Sequence, residues 1–93
     1  MTSIDAQATI DGERLGISGA LSVWNAPRIW AQISTACFMY LDLSGLTAAD
    51  SAALAMLSRL QENNAKAEVI GLPAHLDALR QAYRLDPQLR FTA

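Results

Sequence analysis

The sequence has one cysteine, Cys37, and one histidine, His75. A lone cysteine excludes an internal disulfide, and with a single histidine it cannot furnish a cysteine-rich zinc site. A reducing cytoplasm is the simplest compartment for such a chain. Basic residues are also few: 7 Lys and Arg stand against 9 Asp and Glu, giving a formal net charge of -2. They form no cluster, so no field draws the chain toward phosphates, and nucleic acid is not an expected partner. The first residues, Met1 to Asp5, carry neither the charged start nor the apolar stretch of a secretory signal. No apolar run approaches the roughly 20 residues needed to cross a bilayer. Two catalytic signatures are missing as well. Gly16 and Gly19 stand alone without a Gly-Lys-Ser/Thr phosphate loop, and no Gly-x-Ser-x-Gly elbow presents a serine nucleophile. Catalytic residues, a metal and a cofactor are therefore not expected.

What is present is core-forming material. Hydrophobic residues make up 52% of the 93 positions and charged ones 17%, a composition that buries a core and argues against disorder. The length suits one domain over residues 1–93. Two short extended segments between Ala6 and Leu21 flank Asp11-Gly12, a tight-turn dipeptide, and predict a β-hairpin. Asn25 is a candidate cap and Pro27 fits a first turn. Ala26, Ile29, Trp30 and Ile33 then fall at helical spacing, predicting a helix over about residues 26–35. Trp24, just before it, is either a hydrophobic staple or an exposed anchor.

The stretch from Cys37 to Leu60 is the most informative. Cys37-Phe38-Met39-Tyr40-Leu41 reads as a strand buried on both faces, with Cys37 a small buried hydrophobe. Ser44, Gly45 and Thr47 read as a loop, and Asp42 as the acceptor that organises it. From Asp50 the apolar positions switch to helical spacing, with Ala53, Met56, Leu57 and Leu60 on one side. Asp50-Ser51 thus lies where a strand's carboxyl end meets a helix amino terminus, a favoured location for function in α/β sheets. Asn63-Asn64 then stop that helix, and Ala67 to Gly71 form a short strand. Pro73 opens a third helix with a buried stripe of Leu76, Leu79, Ala82 and Tyr83, ended by Asp86-Pro87. His75 is expected exposed in its first turn, and Arg80 and Arg84 are expected to solvate one side. The order β-β-α-β-α-β-α predicts an α/β fold: a mixed sheet of about four to five strands covered by about three helices.

At about 100° per residue, Ser51, Ala55, Ser58 and Glu62 share one face of the second helix, bordered by Ala52 and Arg59. These small residues either let a partner come close or merely fill solvent positions with adequate helix formers. Asp50 and Ser51 are both good caps, and a helix needs one. If Asp50 caps, Ser51 stands at the first helical position with its hydroxyl free for a partner or for phosphorylation.

Leu41-Asp42-Leu43-Ser44, followed after a short loop by Asp50-Ser51-Ala52-Ala53-Leu54, resembles the STAS domain of sulfate transporters and bacterial anti-sigma factor antagonists. The likeness runs over about residues 8–90. In the antagonists the matching serine, here Ser51, is phosphorylated by a cognate kinase. Ser18-Gly19-Ala20-Leu21, the tryptophan-containing helix after it, and Tyr83, Leu85 and Pro87 resemble most the cytoplasmic STAS subunit of the bacterial maintenance-of-lipid-asymmetry phospholipid transporter, which docks on an ABC ATPase subunit. That resemblance implies a non-catalytic regulatory adaptor in the cytoplasm, held at the inner-membrane face through the transporter. It places Asp50, Ser51, Ala52, Ala55, Ser58 and Arg59 at the partner surface. The alternatives are an anti-sigma factor antagonist switched at Ser51 and a STAS module of a larger sensory assembly. Ser22 stands where many relatives have aspartate, and Ala53 where they have glycine.

Overall fold

The first turn of the chain depends on one glycine. In the computed structural model, which describes residues 6–90, β1 (Gln7–Asp11) and β2 (Arg14–Leu21) form an antiparallel hairpin in the register Asp11↔Arg14. Gly12 has φ +61°, the positive value that a type II′ hairpin turn needs at its first central position. The chain then enters α1 (Ala26–Ile33) and returns as β3 (Tyr40–Asp42), parallel to β2 at Arg14–Gly16. After a short bend, β4 (Leu46–Ala49) resumes parallel pairing with β2 farther along, at Gly19–Leu21. Helix α2 (Ser51–Asn63) leads to β5 (Glu68–Ile70), which pairs in parallel with β3. A 3-10 turn at Ala74–Leu76 and the short α3 (Asp77–Ala82) follow. The described residues thus form a mixed five-stranded sheet of order β1-β2-β3-β5, with β4 also on β2, and three helices.

Alternation along β2 decides which face of the sheet is covered. Leu15, Ile17 and Leu21 are buried, while Arg14 and Ser18 on the opposite face are exposed and Gly16 and Ala20 half-buried. Ile29 and Ile33 of α1 and Ala53, Leu54, Leu57 and Leu60 of α2 join the buried β2 residues in one cluster with Leu41, Leu43 and Leu46. The helices therefore cover one face. This corrects the expectation of a central strand buried on both: Met39 and Tyr40 are 41% and 44% exposed. Cys37 is exposed too, because the chain after α1 is irregular there and joins the sheet only at Tyr40. The loop expected through Thr47 is strand from Leu46, since backbone pairing with β2 outweighs the weak strand propensity of Thr-Ala-Ala.

Two further expectations change. Asn25 takes the N-cap position of α1, but its side chain makes no capping bond to the helix. Its side chain accepts from Ser22 N (2.9 Å) and donates to the Ala20 carbonyl (2.8 Å), holding the turn that precedes the helix. The third helix stops at Ala82, four residues before Asp86-Pro87, and of its expected stripe only Leu76 is buried; Leu79 is half-buried, and Ala82 and Tyr83 are exposed.

Side chains finish one margin of the sheet. The Gln88 carboxamide accepts from Val69 N (2.6 Å) and donates to Val69 O (3.3 Å), taking both backbone groups of the middle residue of β5. His75 is exposed, as expected, and its Nε2 lies 2.9 Å from Thr47 O of β4.

Candidate functional site

The start of α2 is built by Asp50. Its backbone is extended and its Oδ1 accepts from Ala53 N (2.9 Å), the bond of a helix N-cap. Its Oδ2 accepts from Val23 N (2.9 Å), tying the helix start to the β2–α1 loop. Burial by itself raises the Asp50 pKa. The backbone N–H groups of Ala53, Val23 and Ala52 outweigh that, and the carboxyl is held below its ordinary range. Since Asp50 does the capping, Ser51 stands at the first helical position with its side chain exposed.

The preceding bend is organised as the sequence suggests. Asp42 Oδ1 accepts from Ser44 N (3.0 Å), and this bond, helped by the Ser44 hydroxyl and by Arg14, lowers the Asp42 pKa against the opposing effect of burial. Gly71, at φ +73°, packs against the bend; a Cβ there would lie 2.8 Å from Ser44 Cβ. The bend between β3 and β4 and the connection that leaves β5 are thus held together.

Along α2 a groove of about 630 Å³ opens between the helix and the segment Tyr83–Leu85. Ser51, Ala52, Ala55, Ser58 and Arg59 all line it, and Asp50 stands at its head as the cap. The structure therefore brings the six sequence-predicted residues to one place. Ser58 differs in exposure: at 9% it is part of the groove floor rather than of an open face. Arg59 and Glu62 are exposed at the far end.

Four lining residues were not among the candidates: Leu54, Glu62, Tyr83 and Leu85. Glu62 shares the predicted face and was readable from spacing alone. Tyr83 was expected in the core and is 48% exposed instead. The sequence signal for its exposure is absent, because its position follows from a chain reversal after α3. There Arg80, expected to solvate a face, points inward and is only 12% exposed at the side chain.

A smaller recess of about 260 Å³ lies on the other side of Ala52, lined by Val23, Ala26, Pro27, Trp30, Ala52 and Met56. Trp24 beside it is 92% exposed, which excludes the staple and leaves an exposed ring. Ser22, in place of an aspartate, accepts from Trp24 N through its hydroxyl (3.3 Å). Ala53 is fully buried in the core cluster. Among the described residues, no group of three or more His, Cys, Asp and Glu could hold a metal ion, and no helix is long and apolar enough to cross a membrane.

The mixed sheet and its helices agree with the comparison to known families. Residues 4–90 match the family model described as "Mlab, STAS domain". The chain belongs to the STAS domain family. No curated protein matches it. STAS domains act in general by binding and regulation rather than catalysis, which places this chain in type among regulatory or binding domains. The groove along α2 combines small side chains on the helix, an exposed hydroxyl at the head and an aromatic ring opposite.

Proposed function

We propose that this STAS domain is a non-catalytic regulatory adaptor that docks through the α2 groove on the cytoplasmic ATPase subunit of a phospholipid-transporting ABC complex. The observation that carries the reading is the division of labour at the head of α2. Both Asp50 oxygens are committed to backbone N–H groups, so the exposed Ser51 hydroxyl is spare, and Ala52 and Ala55 beside it keep the helix surface low. A partner helix or loop can approach such a surface without displacing long side chains, and its ordering cost is small. The family description, which names Mlab, supports this choice of partner.

The same spare hydroxyl supports a second reading, an anti-sigma factor antagonist phosphorylated at Ser51. A phosphate would add about -1.5 to -2 charges at a helix amino terminus, which tolerates an anion, while a surface packed around a neutral hydroxyl would not. One experiment separates the two. The tagged chain and its Ser51→Glu variant are each mixed with the purified ATPase subunit of the source organism's phospholipid ABC transporter, and the intact mass of Ser51-containing peptide from native cells is measured. The adaptor reading expects co-purification with wild type, loss with Ser51→Glu and an unmodified serine. A phosphorylated Ser51 with no ATPase bound by wild type overturns it in favour of the kinase-controlled switch.

A further inference from the structure

We infer that Arg80 is a positioning residue for the groove: by clasping Asp77 and the Leu85 carbonyl it fixes where Tyr83 stands opposite α2, and so sets which partner surface the groove accepts. The inference rests on the docking role proposed for α2.

The far wall of the groove takes little of its position from the core. Helix α3 has six residues and fully buries none of them, with Leu79 half-buried against the core cluster, and a helix that short does not persist through its own backbone bonds. The chain then reverses through Tyr83, Arg84 and Leu85, with Arg84 at φ +57°, a region that L residues disfavour. Only Leu85 of the reversal is buried, at 7% exposure. An apolar anchor is non-directional and leaves the ring two residues upstream unspecified.

Arg80 supplies the direction. Its backbone carbonyl accepts from Leu85 N (3.1 Å), and its guanidinium donates to Leu85 O through one terminal nitrogen (2.8 Å). Nε donates to Asp77 Oδ1 (2.8 Å), and the second terminal nitrogen lies 2.7 Å from the same oxygen. The other oxygen, Asp77 Oδ2, accepts from Gln81 Nε2 (2.9 Å). One planar group thus grips both the first turn of α3 and the end of the reversal. A lysine, with its single point of charge on a flexible stem, could not hold the two at fixed angles. Tyr83 is caught between these grips, with its N–H donating to Leu79 O (3.2 Å). Its place beside α2 is therefore a polar specification laid over a small apolar anchor.

The test uses the full chain with Arg80→Met, which keeps the alkyl stem, together with Arg80→Lys and Ser51→Glu. Asp77→Asn is the second route should Arg80→Met fail to fold. Two quantities are read: amide hydrogen exchange at Leu85 and at Leu57 in the buried interior of α2, and affinity for the purified ATPase subunit. Arg80→Met is expected to exchange Leu85 about tenfold faster with Leu57 unchanged, and to bind the ATPase about tenfold more weakly. Arg80→Lys recovers part of both losses. Unaltered exchange at Leu85, acceleration at Leu57 in step with it, or wild-type affinity despite a loosened Leu85 each overturns the inference. Wild-type binding by Ser51→Glu overturns the docking role instead, and the exchange at Leu85 still reports whether Arg80 holds the reversal.

Discussion

The two walls of the groove are made in opposite ways. The α2 wall stands on Ala53, Leu54, Leu57 and Leu60, all at 1% exposure or less, so its place is set by the same burial that stabilises the whole fold. The Tyr83–Leu85 wall hangs from a helix with no buried residue, rests on the core through Leu85 alone and takes its direction from hydrogen bonds of Arg80. A surface of this kind has one side that cannot change without unfolding the protein and one side that can. The lesson is that a docking site can take its rigidity from the core and its shape from a few polar contacts at the rim. Leu57→Ala should strike the first wall hardest, losing about 2–5 kcal/mol of stability because a fully buried side chain leaves a cavity under α2. Urea denaturation measures it, and a smaller loss would mean that α2 is less tied to the core than the comparison holds.

Asp50→Ala tests the end of that wall. Loss of the cap should cost about 1 kcal/mol, and the freed Val23 N–H, bonded to the same carboxylate, should exchange faster. Acid sharpens the contrast further. The native pKa values of Asp50 and Asp42 lie below the ordinary 3.8, so their contribution is complete above that value and is lost as the pH falls through the lower native values. Denaturation midpoints followed from pH 5 to pH 2 should fall less steeply in Asp50→Asn than in wild type. The smallest effect belongs to the other wall: Tyr83→Ala should shift stability by no more than about 0.5 kcal/mol, as for an exposed side chain. Calorimetry of the variant checks this, and a larger loss would place Tyr83 in the core after all.

The same contrast explains what could be read in the sequence. The hairpin at Asp11-Gly12, the helix from Ala26 and the cap-and-stripe pattern from Asp50 to Leu60 are local signals: a turn dipeptide, a 3.6-residue period, an acidic residue before an apolar run. Each survives in the structure within a few residues, and the six candidates from Asp50 to Arg59 converge because they lie on one helix. What was misread depends on chain distant in sequence. Leu46–Ala49 is a strand because β2 offers it partners. Tyr83 has the composition of a buried stripe residue, but the positive φ of Arg84 turns the chain and leaves it outside. Asn25 stands at the expected cap position, but its side chain makes no bond to the helix because the Ser22 turn takes its oxygen. Gln88 carried no signal at all; its carboxamide matters only because Val69 is opposite.

That carboxamide has a consequence for self-association. Edge-to-edge polymerisation of a sheet requires every molecule to present two free margins, one to receive a strand and one to be received. Here the β5 margin is already occupied by a side chain that satisfies both the N–H and the C=O of Val69. A strand arriving at that margin would have to displace the Gln88 carboxamide before it could pair, so the sheet cannot be extended past β5 without undoing a contact of the folded chain.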